Sequence, residues 1–143
     1  MRLHFLILSI IGVISCTSDD YVSVTEATSK KWTLVSMSGS VSGVFPATGD
    51  SMSWQEYYVF NGDMTFAKFR DRDGIKSEAA GTYDSTSFST ENFLELTFTS
   101  GTQLVGSCTS SQNTETLFFA SEMEIRSTWS QCDGPGLVYR RLE

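Results

Sequence analysis

Gln55-Glu56-Tyr57-Tyr58-Val59-Phe60 and Met64-Thr65-Phe66-Ala67-Lys68-Phe69-Arg70 flank Asn61-Gly62-Asp63, and the run announces an antiparallel hairpin. Both arms are rich in residues that suit a pleated, half-buried surface. Asn-Gly tolerates positive φ, so the chain can reverse there within a few residues. Downstream, Asp71-Arg72-Asp73-Gly74 turns the chain into a strand from Ile75 to Tyr83. Phe93-Leu94-Glu95-Leu96-Thr97-Phe98 alternates, which places Leu94, Leu96 and Phe98 on one face. Ser100-Gly101 leads into a further strand from Gln103 to Cys108, and Thr109 to Asn113 forms a loop. Glu115 to Ala120, Met123 to Trp129 and Leu137 to Leu142 complete the downstream set. Upstream, Lys31-Trp32-Thr33-Leu34-Val35-Ser36-Met37 makes the first strand. Between it and the hairpin, Ser38 to Ser53 is a Ser/Gly stretch with one proline, hence a loop or irregular strand long enough to serve as a lid over a barrel mouth.

No segment of this part of the chain carries helical periodicity over three turns. Eight to ten short strands in a meander predict an all-β fold, an up-and-down antiparallel β-barrel of about eight strands, because closure removes exposed edges. A sandwich of two sheets is the nearest alternative. An eight-stranded interior is either filled by side chains or just wide enough for one small ligand. The aromatic residues Trp32, Trp54, Tyr58, Phe60, Phe66, Tyr83, Phe98 and Tyr139 are the candidates to line such a pocket or, failing that, to fill the core.

Composition narrows the chemistry. The chain has 10 basic and 17 acidic side chains and a net charge of −7, a balance that repels phosphate backbones and makes nucleic acid an unexpected partner. Its single histidine, His4, stands in the apolar N-terminal run. Without that residue there is no Ser-His-Asp or Cys-His mechanism and no His-ligated zinc. Asp71-Arg72-Asp73-Gly74 shares its first letters with a calcium loop but lacks the later acidic ligands, so a hairpin turn is expected. Glu91 with Glu95, and Glu122 with Glu124, are spaced to share a strand face, yet solvated acids at strand ends account for both pairs. The expectation is a protein with no catalytic residues, metal or cofactor.

The N-terminus carries the address. Arg2 precedes the apolar run Phe5-Leu6-Ile7-Leu8-Ser9-Ile10-Ile11-Gly12-Val13-Ile14, the pattern of a secretory signal and too short for a membrane span. Val13-Ile14-Ser15-Cys16 resembles the lipobox of bacterial lipoproteins. That resemblance implies cleavage before Cys16 and acyl chains on its thiol and amine, which attach the protein to a membrane. Loss of Arg2 makes the mature chain one unit more negative than the whole. The chain then divides into a signal over 1–15, a lipidated N-terminus and tether over 16–29, and a barrel domain over 30–143. Thr17-Ser18-Asp19-Asp20-Tyr21 is a polar tether that also resembles, displaced by one residue, the acidic export signal of Bacteroidetes surface lipoproteins. The outer membrane is therefore the expected location, with surface exposure the implied orientation. With Cys16 lipidated, Cys108 and Cys132 remain, and in an oxidising compartment the leftover pair is expected to bridge rather than persist as two thiols. Cys132-Asp133-Gly134-Pro135-Gly136 would then be a tight turn held by that bridge.

Lys31-Trp32-Thr33-Leu34-Val35-Ser36, Phe60-Asn61-Gly62-Asp63-Met64-Thr65-Phe66, Gly81-Thr82-Tyr83 and Cys132-Asp133-Gly134-Pro135-Gly136-Leu137-Val138-Tyr139-Arg140-Arg141 occur in that order across the domain. In this the chain resembles the small lipocalin-like lipoproteins of Bacteroidetes. Lipocalins have Gly-x-Trp on the first strand and a basic residue near the end that covers the tryptophan. Here Lys30-Lys31 precedes Trp32 with no glycine, and either Arg140 or Arg141 is placed to supply the cation. The resemblance implies a monomeric lipid-anchored barrel that binds a small hydrophobic ligand. The alternative is a protein-binding or inhibitor module that acts through its loops around a packed barrel.

Overall fold

The computed structural model describes residues 28–39, 45–109 and 111–142; the signal, Cys16 and the acidic tether lie outside them. The strands are β1 (Lys30–Ser38), β2 (Gln55–Phe60), β3 (Thr65–Arg72), β4 (Ile75–Phe88), β5 (Glu91–Ser100), β6 (Thr114–Ser121), β7 (Glu124–Ser127) and β8 (Gly136–Arg141). Each pairs antiparallel with its sequence neighbours, and β8 returns to β1, so the sheet closes into an eight-stranded barrel. No helix among the described residues is long and apolar enough to cross a membrane.

Period-two alternation decides what faces the interior. Tyr58 and Phe60 of β2, Phe66 of β3, Leu94, Leu96 and Phe98 of β5, Leu117 of β6 and Tyr139 of β8 are all buried. In β1 the buried residues run Trp32, Leu34, Met37, a slip of one position. A register shift between Leu34 and Ser36 against β8 accounts for it, since a bulge inserts one residue and reverses the phase of the rest. Gly81 faces inward from β4, where a Cβ would stand 2.0 Å from the Thr97 carbonyl oxygen and 2.8 Å from the Phe66 ring. Glycine there lets Phe66 pack across the barrel against Phe98, ring centres 4.9 Å apart.

The hairpin at Asn61 forms, by a different turn from the one its dipeptide suggests. Met64 N donates to Asn61 O at 3.2 Å and Asn61 N to Thr65 O at 2.9 Å. The left-handed residue is Met64 (φ 65°), not Gly62. At the next hairpin both Asp73 (φ 55°) and Gly74 (φ 81°) are left-handed, the two-residue type I′ geometry that matches strand twist. Asp71-Arg72-Asp73-Gly74 is thus a turn, in which Gly74 N donates to Asp71 Oδ1 at 3.0 Å.

Three boundaries differ from expectation. Strand β4 continues past Tyr83 to Phe88, because each added residue through Phe88↔Glu91 pairs with β5. Gln103 to Cys108 is not a strand: it contains a 3₁₀ turn at Thr102–Leu104, and its backbone serves side chains of the interior instead of a ladder. Met123 to Trp129 shortens to β7, and Trp129–Cys132 forms a 3₁₀ turn. Cys108 and Cys132 are disulfide-bonded with Cα atoms 5.5 Å apart, joining two loops rather than a loop and a strand.

The two ends of the barrel are unlike. At one lie the β1–β2, β3–β4, β5–β6 and β7–β8 connections, the disulfide, and the buried side chains of Met52, Trp54 and Leu104. The described part of the Ser38 to Ser53 loop is tied down there by paired Met37–Ala47 backbone bonds of 2.9 and 2.8 Å. A lid role over an open mouth is therefore corrected: this loop belongs to the filled end. The other end carries the β2–β3, β4–β5 and β6–β7 turns, and it is open.

Candidate ligand-binding site

A cavity of about 880 Å³ opens at that second end. Its apolar wall comes from Trp32, Phe60, Met64, Tyr83, Leu94 and Phe119, and its rim from Lys30, Ser85, Asn92, Ser121, Glu122 and Arg141. The local reasons are simple. Trp32, Phe60 and Phe119 are the last apolar inward positions of β1, β2 and β6 before those strands reach the mouth. Trp32 and Phe119 meet edge to face at 6.0 Å, and Phe60 and Tyr83 at 5.0 Å. The Tyr83 hydroxyl donates to Asn61 O at 2.8 Å, which ties the wall to the β2–β3 turn. Burial, then the Asp63 carboxylate, raise the Tyr83 pKa above its ordinary value, so the hydroxyl remains a donor at neutral pH. Asp63 is itself held below the usual carboxylate range by the Thr65 hydroxyl and backbone N–H.

Of the eight aromatic residues expected at a pocket, Trp32, Phe60 and Tyr83 line this cup. Tyr58, Phe66, Phe98 and Tyr139 lie deeper and form core, with Tyr58 stacked on Phe60 at 5.5 Å and edge-on to Tyr139 at 5.1 Å. Trp54 is at the opposite end, where the guanidinium groups of Arg70 and Arg72 sit 4.6 and 4.5 Å from its ring. Arg141, not Arg140, reaches Trp32, with its guanidinium carbon 5.9 Å from the ring. Arg140 turns outward to Glu124, 3.1 Å away, and Arg126 joins the same carboxylate at 2.6 Å. Those guanidiniums, Arg126 first, hold the Glu124 carboxyl below its ordinary pKa.

Beyond the cup, the interior holds a group of charges. Lys68 is fully buried and its Nζ donates to Leu104 O at 2.8 Å and Glu115 Oε2 at 3.0 Å, with Glu56 Oε1 at 3.4 Å. Glu115 also accepts from the Tyr58 hydroxyl at 2.7 Å and from Gly106 N at 3.2 Å. Glu56 accepts from the Tyr139 hydroxyl at 2.5 Å and from Arg70 Nε. Two acids thus face two bases, the neutral pairing that buried charge requires. Burial first, then the neighbouring glutamates, push both tyrosine hydroxyls well above pH 10, so they stay protonated and donate. Among the described residues, only Trp54 Nε1 and Arg70 Nη2 are buried without a hydrogen-bond partner.

Aromatic content alone could not find the cup's polar rim or this cluster. A signal for the cluster was present: Lys68 is two residues from inward-facing Phe66, Glu56 two from Tyr58, and Glu115 two from Leu117. Strict alternation places all three charges inside. The same alternation places Lys30, two before Trp32, and Asn92, two before Leu94, on the inner face, whereas Glu122, in the β6–β7 turn, carries no comparable signal. Comparison with protein-family models, with curated proteins and with solved structures finds no match for this chain.

Proposed function

We propose that this protein is a lipid-anchored envelope lipoprotein, lipocalin-like in build, whose barrel holds a small hydrophobic molecule without acting on it chemically. The observation that carries the reading is the cup: about 880 Å³, walled by the aromatic rings of Trp32, Phe60, Tyr83 and Phe119 with Leu94, within the roughly 300–1,000 Å³ range of small-molecule sites. A packed, ligand-free barrel acting through its loops would have no use for such a space. The lipobox resemblance of Val13-Ile14-Ser15-Cys16 supports the anchor, and the acidic stretch after it supports the outer membrane. Strand β1 begins at the mouth, where the Ser29 hydroxyl donates to Asn61 Oδ1 at 2.8 Å.

The test is export of the full chain in a Gram-negative host fed labelled palmitate, followed by native mass spectrometry of the purified protein. Label on the protein that disappears in Cys16→Ser, with a small-molecule adduct lost on denaturation, is the expected result. An unlabelled protein would remove the anchor. An unoccupied barrel that stays so after incubation with a lipid extract would move the reading to the protein-binding alternative.

A further inference from the structure

The outer wall of the barrel carries a second hollow, apart from the cup. It has a volume of about 430 Å³ and lies over β2, β3 and β4. Strand register builds it. Tyr57 pairs with Phe69 and Phe69 with Glu78 in one row, and Gln55 with Asp71 and Asp71 with Lys76 in the next. Alternation turns both rows outward, because the intervening Glu56, Tyr58, Lys68 and Ala79 are buried. Tyr57 and Phe69 stack with ring centres 4.7 Å apart and 20° between their planes, and Lys31 Nζ lies over Tyr57 at 4.0 Å. Phe69 makes no other ring or cation contact among the described residues, so one face of this half-buried ring has neither, and the ring lines the hollow. Two polar side chains of the rim are held in place by backbone bonds. Gln55 Nε2 donates to Gly49 O at 2.9 Å, which leaves its amide oxygen, and Asp71 Oδ1 accepts from Gly74 N at 3.0 Å, which leaves Oδ2. Glu78 adds a carboxylate beside the ring, and Lys76 an ammonium.

We propose that this outer-wall hollow is a carbohydrate site, independent of the cup, which takes a neutral sugar ring on Phe69 and holds its hydroxyls with Gln55, Asp71 and Glu78. A pyranose has a face of C–H bonds, whose positive hydrogens suit the negative face of an aromatic ring. Around that face it presents hydroxyls, each a donor as well as an acceptor. The rim answers in kind: the Gln55 amide oxygen and the Asp71 and Glu78 carboxylates accept, and Lys76 donates. Hydroxyl donors on carboxylates make the stronger, charge-assisted bonds. The charges of the rim select against ionic ligands. Asp71 and Glu78 outnumber Lys76, which disfavours an anion, while Lys76 on the rim and Lys31 behind the ring pair disfavour a cation. A volume of about 430 Å³ lies within the roughly 300–1,000 Å³ range of small-molecule sites.

The experiment is saturation-transfer NMR on the exported full chain, kept in a detergent without a sugar head, with maltotriose, cellotriose, mannotriose and tri-N-acetylchitotriose as neutral probes. Trigalacturonate and tetra-arginine serve as the anionic and cationic comparisons. At least one neutral probe is expected to bind, with saturation strongest on the C–H protons of one ring face. Phe69→Leu, which keeps apolar bulk and removes the aromatic face, is expected to weaken that probe at least about tenfold, while Phe69→Trp holds it within about twofold. Glu78→Gln is expected to weaken it about threefold or more, and Phe118→Ala, an outward aromatic position on β6, to change nothing. Absence of binding by all four neutral probes overturns the proposal. So does binding that survives Phe69→Leu, which would put the sugar elsewhere, or preference for either charged probe. Should Phe69→Leu unfold, judged by circular dichroism, Glu78→Gln decides, and an affinity it leaves unchanged overturns the proposal.

Discussion

The two halves of the barrel interior meet the same problem in opposite ways. In the filled half, charge is buried and answered: Lys68 lies between Glu56 and Glu115, and two tyrosine hydroxyls and a backbone N–H complete the set. In the open half, charge stands at the edge of an apolar cavity, with the Arg141 guanidinium against the Met123 thioether and over Trp32. A closed network adds specificity to the half it occupies and leaves nothing to offer a ligand. The open half instead places two cations, Arg141 and Lys30, where water reaches them. The buried ion pairs thus lie toward one end of the barrel, and the open cavity at the other.

The largest effect that bears on this contrast is expected from Lys68→Met. It leaves two buried glutamates facing each other, and breaking a buried pair by removing one partner costs about 3–5 kcal/mol. Urea denaturation reads it directly; a loss under about 1 kcal/mol would mean the cluster is solvated and the contrast between halves is false. Next comes the bridge of the filled end. Replacing Cys108 and Cys132 by serine opens a loop of sequence separation 24 and is expected to cost about 3 kcal/mol in urea denaturation.

Alkaline stability comes third. The folded-state pKa values of Tyr58 and Tyr139 are raised by burial above the ordinary 10.0, so the unfolded chain loses these protons first. Their contribution is complete below pH 10 and is lost as the pH climbs from there toward the folded values, at about 1.4 kcal/mol per pH unit for each tyrosine. Equilibrium unfolding at pH 9, 10 and 11 checks it, and Tyr139→Phe should halve the slope. A flat profile across that range would place water in the cluster. The smallest effect, and one of opposite sign, belongs to the mouth. Met64→Gly relieves a left-handed φ of 65° at an exposed rim position and is expected to stabilise by up to about 1 kcal/mol in thermal melts. Destabilisation instead would show that the Met64 side chain closes the wall of the cup.

How much of this was legible depended on whether a residue's role is set along the strand or across the barrel. The Asn61 and Asp73-Gly74 hairpins, the alternation of Leu94, Leu96 and Phe98, and the Cys108–Cys132 pair are local or compositional facts, and all appear as expected. Aromatic residues could be assigned to the interior but not to a level within it. Trp32 opens β1 and Trp54 just precedes β2, so the meander puts them at opposite mouths; the depth of each ring is decided by strand tilt and register and not by side-chain type. The stretch after Gly101 reads as a strand because Leu104 and Val105 are apolar. It is not one, because Lys68 takes the Leu104 carbonyl and Glu115 the Gly106 amide, long-range demands invisible to a local pattern.

Seven of the barrel's eight strand pairings join neighbours in the chain, and one does not. Only β8 on β1 requires distant segments to meet, as in the contact of Ser38 with Gly136, 98 residues on. The meander can grow hairpin by hairpin at the speed of short loops, while closure must bear the entropy of a loop spanning nearly the whole barrel. Until β8 docks on β1, those two strands present bare edges, and Trp32 has no Arg141 above it. If closure comes last, the rim of the cup is completed with it, and a chain that stalls before that step keeps two edges open to other chains.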